Sequence, residues 1–345
     1  MKKLLGIILS LVFITAASCT PEPQVLNVMT HDSFAVSESV IEAFESENNV
    51  KVNFLLSGDA GSMLNQAVLT KGNPSADVLY GVDNTFLSRA LEESIFEAFE
   101  SPQLAHIPAE FKLDGTFSAL PVDYGDVCIN YDRGYFEAKN LDLPKSLEDL
   151  ANPVYEGMLV VENPATSSPG LAFLMATIVE YGEEDYLDYW QRLLDNGAVV
   201  VNDWETAYYS NFSGSSGKGP QPMVVSYGTS PAAEVFFAET DLDEAPTASL
   251  VGRNMCYRQI EFVGILAGAE NRKIAEAFVD FMLNILFQED IPLNMFVFPV
   301  NENAVLPDVF VEHIQTVEKP ASLPMADIAA NREQWIEDWR EIILE

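Results

Sequence analysis

Basic side chains are scarce. Eighteen Lys and Arg stand against 53 Asp and Glu, for a formal net charge of −35. A chain this acidic repels a phosphate backbone, which excludes nucleic acid as a partner. Histidine is also rare. His31, His106 and His313 are scattered, with no spacing that resembles a zinc site. There is no Gly-x-Ser-x-Gly elbow and no phosphate-cradling glycine motif, so neither acyl transfer nor nucleotide chemistry has a recognisable start. No internal repeat is visible. Beyond the first 17 residues no stretch is long and apolar enough to span a bilayer. Cysteine is limited to Cys19, Cys128 and Cys256. A Cys128–Cys256 disulfide is permitted in an exported protein, and two buried free thiols fit equally.

The N-terminus indicates export. Lys2 and Lys3 precede an apolar run, Leu4–Ala17, which closes at Ser18-Cys19 before Thr20-Pro21-Glu22-Pro23. Residues 1–19 therefore read as a secretory signal. Ala16-Ala17-Ser18-Cys19 also resembles a bacterial lipoprotein cleavage box, departing at Ala16, where Leu is commoner. Used as such, it makes Cys19 the diacylated first residue and tethers the protein to a membrane. An ordinary signal peptide with an incidental cysteine is the alternative. The remaining chain is long enough for two domains, and 48% hydrophobic residues fit a globular protein. The acidic excess attracts a cationic ligand at long range, although solubility in a saline habitat explains it as well.

Strands and helices alternate. Val25–Met29, Val50–Leu56 and Asp77–Tyr80 read as strands. Helices are expected over Ser37–Glu47, Met63–Thr70 and Thr85–Leu91. This βαβαβα order implies a mostly parallel sheet with helices on both faces, and ligands at the carboxyl ends of its strands. Those ends carry Thr30–Ser33, Gly58–Ser62 and Asp83-Asn84. Phe117–Tyr131 then reads as a crossing strand or pair of strands. Met158–Val161, Ala198–Val201 and Met223–Ser226 are further strands, with helices over Leu171–Tyr181 and Tyr186–Leu194. Tyr257–Leu266 crosses back. Arg272–Leu286 and Pro324–Leu344 read as helices, the latter with Trp335 and Trp339 one turn apart in a packing role.

The most informative stretch is Val201–Pro231. It gathers Trp204, Tyr208 and Tyr209, a Gly/Ser-rich loop, and Ser226-Tyr227-Gly228-Thr229-Ser230-Pro231 after an apolar strand. Aromatic faces and small hydroxyls at the ends of buried elements suit a flat, polar, cationic molecule. No nucleophile–base pair accompanies them.

Asp32-Ser33-Phe34, Val122–Gly125, Asn163–Gly170, Asp203–Tyr208 and Val224–Pro231 together, in this order, resemble the thiamine-binding substrate-binding proteins of bacterial ABC importers. The resemblance covers nearly all of the chain after the signal. It implies an α/β, two-lobe periplasmic-binding-protein fold of type II, each lobe a mostly parallel sheet flanked by helices, joined by a hinge of crossing strands. Residues 22–122 and 246–345 would form lobe 1, and 123–245 lobe 2. It implies a monomeric receptor that binds thiamine, or a close thiamine-like cation, between the lobes and delivers it to an importer permease, with no cofactor and no catalysis.

Residue by residue, Trp204 matches the stacking Trp of the family and Tyr227 its pocket Tyr. Asp59 matches an acid at a strand–helix turn, and Ser167 a hydroxyl position. For both, helix capping is the rival role. Asp32 faces the cation or caps the next helix, with Ser33 beside it. Asp123 and Tyr124 lie at the hinge. Three departures stand out: His31 and Phe296 where the family often has Tyr and Trp, and Ala233 where it has Tyr. They imply a thinner aromatic box. A ferric-ion-binding protein using Tyr208 and Tyr209 as ligands is the alternative. An enzyme using Asp59 and Asp123 as acid and base is a weaker one.

Overall fold

The computed structural model describes residues 23–344, apart from 217 and 316. Cys19 and its cleavage box lie outside them. Eleven strands form one continuous, branched sheet: β1 (Gln24–Thr30), β2 (Val50–Leu56), β3 (Val78–Asp83), β4 (Phe96–Glu97), β5 (Leu120–Asp132), β6 (Leu159–Glu162), β7 (Val199–Val201), β8 (Met223–Tyr227), β9 (Thr247–Leu250), β10 (Tyr257–Leu266) and β11 (Phe298–Pro299). The main path runs β2-β1-β3-β10-β5-β8-β6-β7. β1 is parallel to β2 and β3, and β6 is parallel to β7 and β8. Between these two parallel groups stand the long antiparallel strands β5 and β10.

β5 serves both groups. Its residues Leu120–Val127 pair with β10, and its residues Val127–Tyr131 pair with β8. The sequence leaves open whether this stretch is one strand or two, and it is one strand of 13 residues. Cys128 on β5 and Cys256, the residue before β10, form a disulfide. The closed loop spans 128 residues, so the bridge removes a large share of the freedom of the unfolded chain.

The helices behave as their patterns require. Glu38–Asn48 buries Val40 and Phe44 and starts after Ser37. Phe44 packs edge-on against Phe278, with ring centroids 5.1 Å apart. Burying one such ring contributes roughly 1.5–3 kcal/mol. Ser168–Asp195 is broken at Gly182, whose φ of 78° separates the two expected helices. The helix expected over Arg272–Leu286 ends earlier, at Met282. Asn284 caps a second helix, Ile285–Asn294, by accepting from Phe287 N–H. Trp335 and Trp339 are buried, and Trp339 meets Trp190 edge to face at 5.5 Å, as a packing role requires. No helix among the described residues is long and apolar enough to cross a membrane.

Candidate functional site

A cavity of about 560 Å³ opens where the parallel strands end. Five of its wall segments leave the carboxyl ends of strands. His31–Ala35 follow β1, Asp59 and Ala60 follow β2, Ser168 and Pro169 follow β6, Trp204–Tyr209 follow β7, and Tyr227–Phe237 follow β8. That is where an open α/β sheet presents its loops to a ligand. Glu261 of β10 and the segment Asn294–Val297 complete the wall.

Trp204 is held from several sides. Its indole N–H donates to Ser226 Oγ at 2.9 Å, and its backbone N–H donates to Asp59 Oδ2 at 3.3 Å. Tyr208 stacks on it at 5.0 Å, with ring planes 17° apart. Tyr227 meets it edge-on at 6.5 Å. Tyr208 and Phe212 belong to a small apolar cluster with Val160, Ala207 and Val224, against which Trp204 packs. The segment Thr206–Asn211 is a π-helix, a wide turn that brings both Tyr208 and Tyr209 against Trp204. Trp204 therefore packs and also lines the cavity.

Two glycines admit the other rings. A Cβ on Gly125 would lie 2.8 Å from the Tyr227 ring, and one on Gly81 would lie 2.4 Å from the His31 ring. Only glycine lets these side chains cross the strands.

Asp59 caps the helix Ala60–Leu69, accepting from Ala60 N–H at 2.8 Å, and it also lines the cavity. Burial pushes its carboxyl above the usual range. Ser167, the Ala60 amide and His31 oppose that shift. Ser167 precedes the helix Ser168–Asp195 but makes no side-chain cap. It is buried against Asp59, while Ser168 and Pro169 reach the wall. Asp32 lines the cavity and accepts from Gly58 N–H at 2.8 Å, so it ties two strand-end loops together and does not cap the Ser37 helix. Ser33 is also on the wall.

The floor is a cluster of coupled acids. His31 Nε2 lies 3.7 Å from Glu261 Oε1. Burial, the largest single influence, pushes the imidazole down, yet the charge and hydrogen bond of Glu261 together with the charges of Asp59 and Asp32 outweigh it, and the net shift is upward. Burial alone pushes Glu261 up, but His31, Tyr80 and Asp123 together hold it below the ordinary range. Tyr80 O–H lies 2.5 Å from Asp123 and 3.0 Å from Glu261. Asp123 is thus behind the wall, in contact with the floor. Tyr124 is elsewhere. Its ring stacks between Phe111 and Phe298, under the Arg258 guanidinium. Successive strand residues point to opposite faces, so Asp123 and Tyr124 cannot both face one cavity.

The aromatic wall is fuller than the departures imply. Ala233 is on the wall, and Phe237, one helical turn later, supplies a ring there. Phe237 and Phe236 pack on Phe296 at 5.4 and 5.9 Å, and Thr229 Oγ1 donates to the Phe296 carbonyl. Sequence reasoning missed Glu261, Glu234, Glu205 and Asn294. Glu261 left a faint signal, a lone acid inside the apolar run of β10.

Residues 73–312 match the family model of bacterial extracellular solute-binding proteins. The thiamine-binding periplasmic protein of Salmonella typhimurium is 31% identical over 343 residues, covering 97% of this chain and 98% of that protein. The chain belongs to this solute-binding family. The Brucella suis thiamine-binding periplasmic protein is 32% identical, with 91% and 90% covered. Among solved structures, a periplasmic thiamin binding protein superposes with a TM-score of 0.82 at 28% identity, covering 93% of this chain and 96% of that one. The binding protein AfuA of Actinobacillus pleuropneumoniae, with fructose-6-phosphate bound, gives 0.79 at 22%, with 93% and 98% covered. A ferric binding protein from Campylobacter jejuni gives 0.74 at 19%, with 92% and 99% covered. The solute-binding protein described here thus has the two-lobe type II periplasmic-binding fold, with β5 and β10 as its crossing strands.

Proposed function

We propose that this chain is the extracytoplasmic receptor of an ABC importer, that it binds thiamine in the cavity between its lobes, and that it hands the vitamin to a permease. The observation that carries the reading is the setting of Trp204. Trp204, its indole held by Ser226 and Tyr208 and its backbone by Asp59, lines a cavity whose charged groups among the described residues are carboxylates apart from His31. Thiamine is a permanent thiazolium cation joined to an aminopyrimidine. A fixed aromatic face beside carboxylates suits the first, and acceptors on the wall suit the second. The relatives described as thiamine-binding support the same ligand.

Trp204 and Tyr227 are its aromatic contacts in this reading. Asp59, Asp32 and His31 with Glu261 set the charge, Ser33 adds a hydroxyl and Phe296 closes the rim. Ser167 and Asp123 act from behind the wall. Lobes divided at residues 122–123 and 245–246 remain the reading, and the pairing of β9 with Ile129–Asp132 favours moving the second division from 245–246 to beyond Leu250. In this proposal the protein acts as a monomer, without turnover, exported and anchored through acylated Cys19.

Titration calorimetry of the purified protein tests the ligand. Saturable heat and quenching of Trp fluorescence are expected. Silence at millimolar thiamine sinks the assignment. The ferric reading needs phenolates at Tyr208 and Tyr209. Tyr208 is pushed up by burial and by Glu234, to which its hydroxyl donates at 2.7 Å, and Tyr209 is pushed up by burial. Adding ferric iron is therefore expected to give no charge-transfer colour.

A further inference from the structure

We infer that the C-terminal helix, Met325–Leu344, is a brace that holds the two lobes closed and so sets the affinity for a ligand it never touches, an inference that rests on the receptor reading. Arg332 and Trp339 are its positioning residues.

The structure is a closed form. Gly61 N–H, beyond β2, donates to the Thr166 carbonyl, beyond β6, at 3.1 Å, and Thr229 Oγ1 donates to the Phe296 carbonyl. These bonds tie segments of lobe 1 to segments of lobe 2, and they form only where the lobes have come together.

The C-terminal helix starts at the crossing strands. Ala321, just ahead of it, donates its N–H to the Cys256 carbonyl at 2.7 Å and accepts from Arg258 N–H at 3.2 Å. From there the helix lies on both lobes. Its first half rests on lobe 1, where the Arg332 guanidinium lies 5.2 Å from the centroid of the Phe86 ring and Glu333 stands 4.0 Å from Arg89. Its second half rests on lobe 2, where Trp339 meets Trp190 edge to face. Trp190 is itself fixed, since its indole N–H donates to Thr177 Oγ1 at 2.9 Å. Phe86 and Arg89 follow β3, whereas Trp190 belongs to the helical run after β6. Arg332 and Trp339 are two turns apart, about 10 Å along the axis. A helix of that length is stiff, so both ends are seated at one spacing of the lobes only. Parting the lobes unseats one end.

The seat on lobe 2 is built to release. Trp339 is buried, yet its indole N–H has no acceptor among the described residues. Tyr186, one turn before Trp190, is also buried, and its hydroxyl has no partner among them. Burial and then Asp338 of the C-terminal helix push the Tyr186 pKa up. Ring contact favours the seat. The two orphaned polar groups oppose it, because water satisfies them once the helix lifts. This opposition keeps the seat marginal, and a marginal seat can shift the balance between open and closed forms. Neither Arg332, Tyr186 nor Trp339 lines the cavity, so their effect on a ligand there passes through closure.

The test measures thiamine affinity by calorimetry and dissociation by stopped-flow fluorescence on the intact protein, with thermal melts beside them. Trp339→Ala and Arg332→Met should each weaken binding at least about threefold, through faster dissociation. Tyr186→Phe, which removes an orphaned hydroxyl and keeps the ring, should tighten it at least about twofold. The double variant Trp339→Ala/Arg332→Met should bind no more weakly than the weaker single variant, because a brace freed at one end has nothing left to lose at the other. Lower melting temperatures with affinities within about twofold of wild type mean packing alone and overturn the inference. Additive losses in the double variant overturn it too. If Trp339→Ala does not fold, Trp339→Leu takes its place. Absence of thiamine binding in the wild type defeats the receptor reading. The closed fraction of the free protein then decides the brace by itself, read by energy transfer between dyes on Leu69→Cys and Val154→Cys, exposed sites on the two lobes. Trp339→Ala should lower that fraction, and an unchanged fraction overturns the brace.

Discussion

Asp123 and Glu261 are direct cross-strand partners on β5 and β10, two buried carboxyls side by side beneath the cavity. They divide the charge unequally. Burial and then Glu261 push Asp123 far up, whereas His31, Tyr80 and Asp123 hold Glu261 ionised against its own burial. The floor therefore carries negative charge more readily on Glu261 than on Asp123, beside an imidazole that is easily protonated.

That arrangement sets a pH dependence for a cationic ligand. His31 faces Glu261, Asp59, Asp32 and the Tyr80 ring, and its net pKa lies above the ordinary value of 6.5. Below that pKa the imidazolium repels the ligand and occupies Glu261. As pH rises through it, the repulsion disappears. Asp59, whose pKa burial raises, also gains charge as pH rises and acts in the same direction. Thiamine affinity measured by calorimetry should increase at least about threefold from pH 5.5 to pH 8. His31→Asn should flatten the upper part of that curve.

Trp204→Ala should weaken thiamine binding at least about tenfold, through lost cation–π and stacking contact. Ser226→Ala leaves the ring in place but removes the acceptor of its N–H. A loss of about two- to tenfold is expected there. Equilibrium fluorescence or calorimetry reads both, and intact binding in Trp204→Ala contradicts the stacking role.

Glu162 predicts a stability slope. It is fully buried at the end of β6, and burial, then Asp59, holds its pKa far above the ordinary value of 4.5. A raised folded-state pKa gives stability that is complete below the unfolded pKa and lost as pH rises towards the folded one. Glu162→Gln removes this dependence. Denaturant melts should show the variant gaining on the wild type by about 1.4 kcal/mol per pH unit from about pH 4.5 upward, until the folded pKa is reached. Parallel curves would contradict a neutral Glu162.

Reducing Cys128–Cys256 should lower stability by up to about 5 kcal/mol, since the bridge closes a loop of more than a hundred residues. Melting with and without reductant checks this, and Cys128→Ser/Cys256→Ser should match the reduced protein.

Most of the scaffold was legible in the chain. Tyr257–Leu266 and Val50–Leu56 read as strands with the bounds they have. The break at Gly182 separates two helices that the apolar pattern already kept apart. The misses have local causes. The pattern of Arg272–Leu286 continues past Met282, and only the cap of Asn284 interrupts it. Trp204 and Tyr227 were legible because aromatics beside hydroxyls and glycines interrupt strand ends. Glu261 was not, because a strand-borne acid joins His31 only through pairing of distant strands. Tyr124 lies apart from the cavity while Asp123 touches its floor, because the pleat separates what the sequence sets together. Phe237 refills the place of Ala233 by helical geometry that single-position comparison overlooks.

The disulfide has a mechanical consequence as well. It joins β5 to the residue entering β10, at the point where β5 passes from one parallel group to the other. Strands stapled there cannot slide along each other. Any movement of one parallel group against the other would therefore have to twist the paired ribbon as a unit.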